Sequence, residues 1–228
     1  MTLATGSHSK LDRRACVVLI ALGILLIGTS LARLMIGDTI GWPDPGILEL
    51  RALRLGIGLS VGASLAVSGA LLQALLRNPL ASPYILGLSS GATLGYVLVG
   101  FLPLAAWPVA LQFGADQTGA FIGALAVMAV VYLLGQRRGW IDPVAILLVG
   151  VIINSMNGAA IMFLSVVAPP NLRSHMTLWM LGYMDENVGW MLLSLVAGMT
   201  LLGVVISTAL GRAMDVAVFS TSEAHSLG

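Results

Sequence analysis

Six stretches of this chain are apolar over roughly 17–25 residues, the length a helix needs to cross the hydrocarbon core of a bilayer. They fall at about 15–35, 55–76, 84–102, 119–135, 144–168 and 190–210. Inside lipid the backbone has no water to bond, so a spanning segment of this length satisfies its own N–H and C=O groups as an α-helix. Composition points the same way. Hydrophobic residues make up 58% of the chain and charged residues 9%, against about 25% charged in soluble domains. The predicted fold class is therefore all-α, a polytopic transmembrane helix bundle whose first partner is the lipid bilayer.

The first run follows Lys10, Arg13 and Arg14 and is too long for the apolar core of a secretory leader, about 7–15 residues. It reads as a retained first span. Net charge is +1, which supplies no basic field and makes nucleic acid an unexpected partner. Cys16 is the single cysteine, so neither an internal disulfide nor a thiolate metal cluster is expected; it reads as a packing residue.

Local chemistry marks the ends of the spans. Ser82-Pro83 and Asp142-Pro143 each place a capping residue before a proline at the first helical position, where the missing N–H costs nothing. They predict helix starts at Pro83 and Pro143. In Arg77-Asn78-Pro79 the proline disfavours helical geometry at Asn78, so the second span should end near Arg77. Pro43 and Pro45 are expected in the first loop, Pro103 and Pro108 in the third, and Pro169-Pro170 in the fifth.

Lys and Arg set the expected orientation. A cytoplasmic N-terminus puts Lys10, Arg13, Arg14, Arg77, Arg137, Arg138 and Arg212 inside and Arg33, Arg51, Arg54 and Arg173 outside. The majority lies inside, and the outside arginines need an account of their own. In the second span Gly58, Gly62 and Ala66 recur every four residues, as do Ser64 and Ser68, a small-residue spacing that predicts close helix packing. Asn154 and Asn157 share one helix face at mid-membrane depth. Polar groups there either bond a neighbouring helix or line a water-filled path.

One stretch, from Gly62 to Gly95, reads GASLAVSGALLQALLRNPLASPYILGLSSGATLG. It resembles the permease family that imports iron–siderophore complexes, haem and cobalamin with an ABC ATPase, whose pattern is G-A-x-L-A-x-S-G-x-x-x-Q-x-x-x-x-N-P-L-A-x-P-x-x-L-G-x-x-x-G-A. Gly69, Gln73, Asn78, Pro79, Pro83, Gly87 and Gly91 fall on fixed positions of that pattern, with Gly62, Ala63, Leu65, Ala66, Ser68, Leu80, Ala81, Leu86 and Ala92. The segments 147–154 (LLVGVIIN), Leu172-Arg173-Ser174 with Trp179, Met180 and Gly182, and 222–228 (SEAHSLG) resemble further family segments. This sequence departs from the family in having Ala52-Leu53 where Leu-Pro is usual, Ser220 for a glycine and His225 for an arginine.

The resemblance implies a chelate permease with three protein partners: a cytoplasmic ABC ATPase subunit, an extracytoplasmic substrate-binding protein, and a second permease copy or paralogue. It implies that Arg51 and Arg54 dock carboxylates of the binding protein, for which bidentate arginine is suited. The alternative is that they snorkel at a helix end. It implies that Asn154 and Asn157 line the translocation pathway. It further implies that 211–228, with Asp215, Phe219, Glu223, Ala224, Ser226, Leu227 and Gly228, couples to the ATPase. Gln73 is expected to be structural, bonding a neighbouring helix or the Asn78 turn. The family has ten spans, so six spans imply an N-terminal part of such a permease in the cytoplasmic membrane; a non-transporting membrane scaffold is the alternative. No cofactor, metal site or catalytic residue is expected. There is no G-x-x-x-x-G-K-[ST], H-E-x-x-H or C-x-x-C, and His8, His175 and His225 lie outside the spans, so ATP hydrolysis belongs to a separate subunit.

Overall fold

The computed structural model describes residues 8–37, 43–102, 114–137, 140–184 and 189–211. Seven helices stand among them: α1 His8–Met35, α2 Pro45–Leu76, α3 Leu88–Gly100, α4 Ala115–Leu134, α5 Pro143–Val167, α6 Pro170–Met180 and α7 Trp190–Ala209. Two-residue strands, β1 Gln136–Arg137 and β2 Trp140–Ile141, pair antiparallel between α4 and α5. Five helices are long and apolar enough to cross a membrane, and α3 is a shorter apolar helix. On α1, Val17, Leu19, Ile20, Ile24 and Ile27 are each more than half exposed. A helix apolar on every side suits a membrane or the interior of a large protein.

The chain divides into two compact units, Met1–Ser60 with Glu186–Ala197, and Val61–Asp185 with Gly198–Gly228. In the first, Trp190 Nε1 donates to Glu49 Oε1 at 2.7 Å, and Gly56 leaves room for the Leu193 side chain. Leu53 and Ile57 are buried.

In the second unit α3 crosses α4 antiparallel, with Gly91 and Gly95 facing Gly123 and Gly119. The chain runs parallel with α5, where Gly87 meets Asn154 and Ser90 meets Asn157. One core joins Leu76, Ala81, Leu86, Val127, Val131 and Ile146. Another joins Val97, Ile161, Ala168 and Met176. Ser64 and Thr200 hydroxyls share a 2.7 Å hydrogen bond.

Asp142 behaves as its sequence predicts. Its carboxylate accepts from the N–H groups of Val144 and Ala145 at 3.0 and 3.2 Å, with Pro143 at the first helical position. The third span differs. Ser82 Oγ accepts from Ile85 N–H at 3.4 Å, but the helix begins at Leu88, after Gly87 turns left-handed at φ 82°. Ser82-Pro83 starts a turn because the backbone at 85–87 packs against Gly150 of α5. A continuous helix there would not fit that surface.

Three other expectations are corrected. Pro45 opens α2 instead of lying in a loop, so Arg51 and Arg54 stand inside a helix. Pro169-Pro170 starts α6 as well as ending α5, since proline suits a first helical turn. Close packing holds at Ser64, which bonds Thr200, but not at Gly58 or Gly62, where a Cβ would meet nothing within 4 Å among the described residues.

Candidate functional site

The joint between α2 and α3 is the most specified part of the chain. α2 ends with Arg77 at φ 48°. Asn78 N–H reaches the Gln73 carbonyl at 3.1 Å and Arg77 N–H the Ala74 carbonyl at 3.3 Å. These are the two bonds of a Schellman ending, a left-handed residue that satisfies terminal carbonyls. Asn78 Oδ1 then accepts from Leu80 N–H at 2.9 Å and its carbonyl from Ala81 N–H at 3.0 Å. Pro79 has no N–H to place in this turn.

The chain next dives into protein. Ala81 is 1% exposed, and Leu86 is buried against Val127, Val131 and Ile146. α3 has 13 residues, about 20 Å at 1.5 Å per residue, too short to cross a core of about 30 Å. Irregular backbone at membrane depth survives only where protein buries it or water lines it. Within 81–87, Ala81, Leu86 and Gly87 meet the first condition, and Gly150 on α5 has no side chain to obstruct them, while Tyr84 is exposed.

Asn154 and Asn157 flank this joint but are not equivalent. Asn157 Nδ2 donates to Ser90 Oγ at 3.1 Å, and Ser90 Oγ donates to the Gly87 carbonyl at 2.9 Å. This chain ties α5 to the first turn of α3. The Asn154 side chain is half-buried and makes no hydrogen bond among the described residues. Gln73 is exposed; its backbone carbonyl, not its amide group, serves the Asn78 turn.

Arg51 and Arg54 also separate. Arg51 Nη1 donates to the Leu34 carbonyl at 2.8 Å, which places its charge on the negative end of α1. Its guanidinium lies against Gly37. Arg54 is half-buried, and its guanidinium makes no hydrogen bond or ion pair among the described residues. Asp215, Phe219, Glu223, Ala224, Ser226, Leu227 and Gly228 lie outside the described residues. No three His, Cys, Asp or Glu side chains come together among the described residues.

Sequence reasoning gave no contact to Gly95, Gly119, Gly123, Gly150 and Ser90, and named Arg173 only as an outside charge and part of a family-like segment. The glycines of the α3–α4 crossing carry a visible signal, the four-residue spacings Gly91-x-x-x-Gly95 and Gly119-x-x-x-Gly123. For Ser90 and Gly150 no local signal distinguishes them from other small residues in spans.

The FecCD transport family matches residues 15–228. The hemin transport system permease protein HmuU of Yersinia pestis is 33% identical over 151 residues, covering 66% of this chain and 44% of that protein. The cobalamin import system permease protein BtuC of Halobacterium salinarum is 35% identical over 151 residues, 66% of this chain and 39% of its own length. YvrB of Bacillus subtilis, an ABC transporter permease, is 34% identical over 197 residues, 84% of this chain and 55% of its own. Among solved structures, a chain described as an inward-facing conformation of a metal-chelate type ABC transporter aligns with TM-score 0.73 and 25% identity, covering 92% of this chain and 66% of the other. The chain thus spans about half the length of the curated relatives it matches. With its buried α2–α3 joint and its family match over residues 15–228, this membrane chain belongs to the FecCD transport family.

Proposed function

We propose that this chain serves in the permease subunit of an ABC importer and passes a metal chelate, an iron–siderophore complex before haem or cobalamin, across the cytoplasmic membrane. The observation that carries this reading is the joint at 77–87, where the family pattern coincides with irregular backbone whose Ala81, Leu86 and Gly87 are buried against the neighbouring helices. Such a break in a span suits a path that must change shape, because non-helical backbone within a membrane is tolerated only where protein buries it or water lines it. A ligand moves uphill only if an energy source biases two states differently. That source is a separate cytoplasmic ATPase engaging 211–228, with the N-terminus on the same side. The open glycine row on α2 supports a further helix-bearing partner, a second permease copy or paralogue.

Asn154, half-buried and unbonded, lines the path in this reading, whereas Asn157 holds α3. With Cys16 replaced by serine, Asn154→Cys is expected to react with a polar thiol reagent in at least one transport state. Asn157→Cys should react at least tenfold more slowly, as befits a site closed by about 1.4 kcal/mol or more. Equal protection of both positions in every state removes Asn154 from the path.

Docking of the binding protein falls to Arg54, because Arg51 is engaged with the end of α1. The test is ATP-driven uptake of radioactive iron–siderophore by the assembled permease, ATPase and binding protein in vesicles. Wild-type assemblies should accumulate it. Arg54→Glu should lose about tenfold or more in stimulation of ATPase by the binding protein, the scale of a charge pair truncated at an interface, with unchanged thermal stability. Arg51→Glu should lose both stimulation and stability. No uptake of iron–siderophore, haem or cobalamin rejects the transport reading; unchanged stimulation in Arg54→Glu rejects the docking assignment alone.

A further inference from the structure

α5 ends in a sequence that ought to leave its backbone unsatisfied. In an α-helix each carbonyl accepts from the N–H four residues on. Ser165 and Val166 would accept from residues 169 and 170, and both are prolines, which have no N–H. Ala168 N–H still bonds the Leu164 carbonyl, so the failure begins one residue later. Carbonyls left over at a helix end need a partner other than the helix itself.

Arg173 fills both positions. Its Nε donates to the Ser165 carbonyl at 2.8 Å and its Nη2 to the Val166 carbonyl at 2.9 Å. The same Nη2 reaches the Ala168 carbonyl at 3.2 Å. The planar fork of a guanidinium offers donors in fixed directions, and these match carbonyls that the two prolines cannot serve. Charge agrees with geometry. Arg173 lies in the first turn of α6, where the helix dipole disfavours a cation, but against the last turn of α5, where the dipole favours one.

The contact also fixes the direction of the following helix. α6 folds back so that Met176, 2% exposed, enters the core of Val97, Ile161 and Ala168. Trp179 stacks on Tyr96 of α3 with ring centroids 4.1 Å apart and planes 10° from parallel. We infer that Arg173 is the positioning residue of this elbow, supplying the donors that Pro169 and Pro170 lack and thereby holding α6 on α3 and α5. In the first unit Arg51 of α2 likewise donates to a carbonyl at the end of α1. Both arginines fall in the outside set that charge counting left without a role.

The test uses the purified full chain with Cys16 replaced by serine and Met176→Cys as reporter. With Arg173 present, the buried thiol should resist a polar maleimide. Arg173→Ala should raise the labelling rate about tenfold or more, the equivalent of losing one charge-assisted hydrogen bond, and lower the melting temperature. Arg173→Lys keeps the charge at a single point of donation and should fall between the two. Adding Pro169→Ala and Pro170→Ala to Arg173→Ala restores the missing N–H donors and should recover at least half of the lost melting temperature. The inference is overturned if Arg173→Ala leaves labelling unchanged, if Arg173→Lys equals wild type, or if the two alanines recover nothing.

Discussion

Gly95→Ala is expected to destabilise the protein by about 3 kcal/mol, the upper end of what overpacking usually costs. The added Cβ would overlap the carbonyl oxygen of Gly119, standing 3.0 Å from the Gly119 carbonyl carbon and 3.1 Å from Gly123 Cα. All of these are backbone atoms, so no side chain can rotate away. Relief requires α3 and α4 to separate, and separation is costly here because the contact is reciprocal. A Cβ on Gly91 would meet the Gly123 carbonyl oxygen at 2.8 Å, and one on Gly119 the Gly95 oxygen at 3.0 Å. Four glycines therefore share one crossing, and moving the helices at one of them loosens the others. In lipid, where helix association rests on packing more than on water exclusion, such close approach is the main source of affinity. The control is Gly58→Ala, whose Cβ would meet nothing within 4 Å; it should change stability by no more than about 0.5 kcal/mol in the destabilising direction. Equilibrium unfolding of both variants in mixed micelles measures the difference. Equal stabilities would mean that the glycine crossing does not hold α3 to α4.

How much of this was legible in the sequence depended on whether the deciding partner was near in the chain. Five of the six spans could be read because lipid imposes length and hydropathy on each one separately. Asp142-Pro143 could be read because its cap bonds Val144 and Ala145, its immediate neighbours. The end of α2 near Arg77 was legible for the same reason, as Asn78 and Pro79 act within one turn. Ser82-Pro83 presents the same local chemistry as Asp142-Pro143, yet α3 starts at Leu88. The difference is made by Gly150, far along the chain, whose bare backbone receives residues 85–87. α6 was hidden because two prolines read first as a break, and because 11 residues are too few for a span. In the candidate site, family resemblance selected Arg51 and Arg54 together and Asn154 and Asn157 together. It could not divide either pair, since the Leu34 carbonyl and Ser90 hydroxyl that engage one member of each are tertiary partners.

Gly150→Ala should cost roughly 2–3 kcal/mol, and its effect should differ in place from that of Gly95→Ala. The new Cβ would stand 2.9 Å from both the Ile85 carbonyl oxygen and Leu86 Cα. Again only backbone opposes it, but this backbone is the irregular segment of the joint, not a helix. Pushed outward, the segment would draw Leu86 from the core it shares with Leu76, Val127, Val131 and Ile146. Gly87 would move with it, and with Gly87 the carbonyl to which Ser90 donates while accepting from Asn157. Non-helical backbone released toward lipid has no helix ladder to satisfy it, so the disturbance should spread through the turns that depend on this seat. Hydrogen exchange in a bilayer mimetic separates the two variants. In Gly150→Ala the amides of Ile85, Gly87 and Gly91, bonded to the carbonyls of Ser82, Tyr84 and Gly87, should exchange about tenfold faster or more, as losing about 1.4 kcal/mol of local protection requires. Amides of α4 around Gly119 should keep their protection, because the contact of Gly95 with Gly119 lies about two turns along α3 from Gly87. Faster exchange at α4 with unchanged exchange at 85–91 would show that Gly150 supports the bundle as a whole rather than seating the joint.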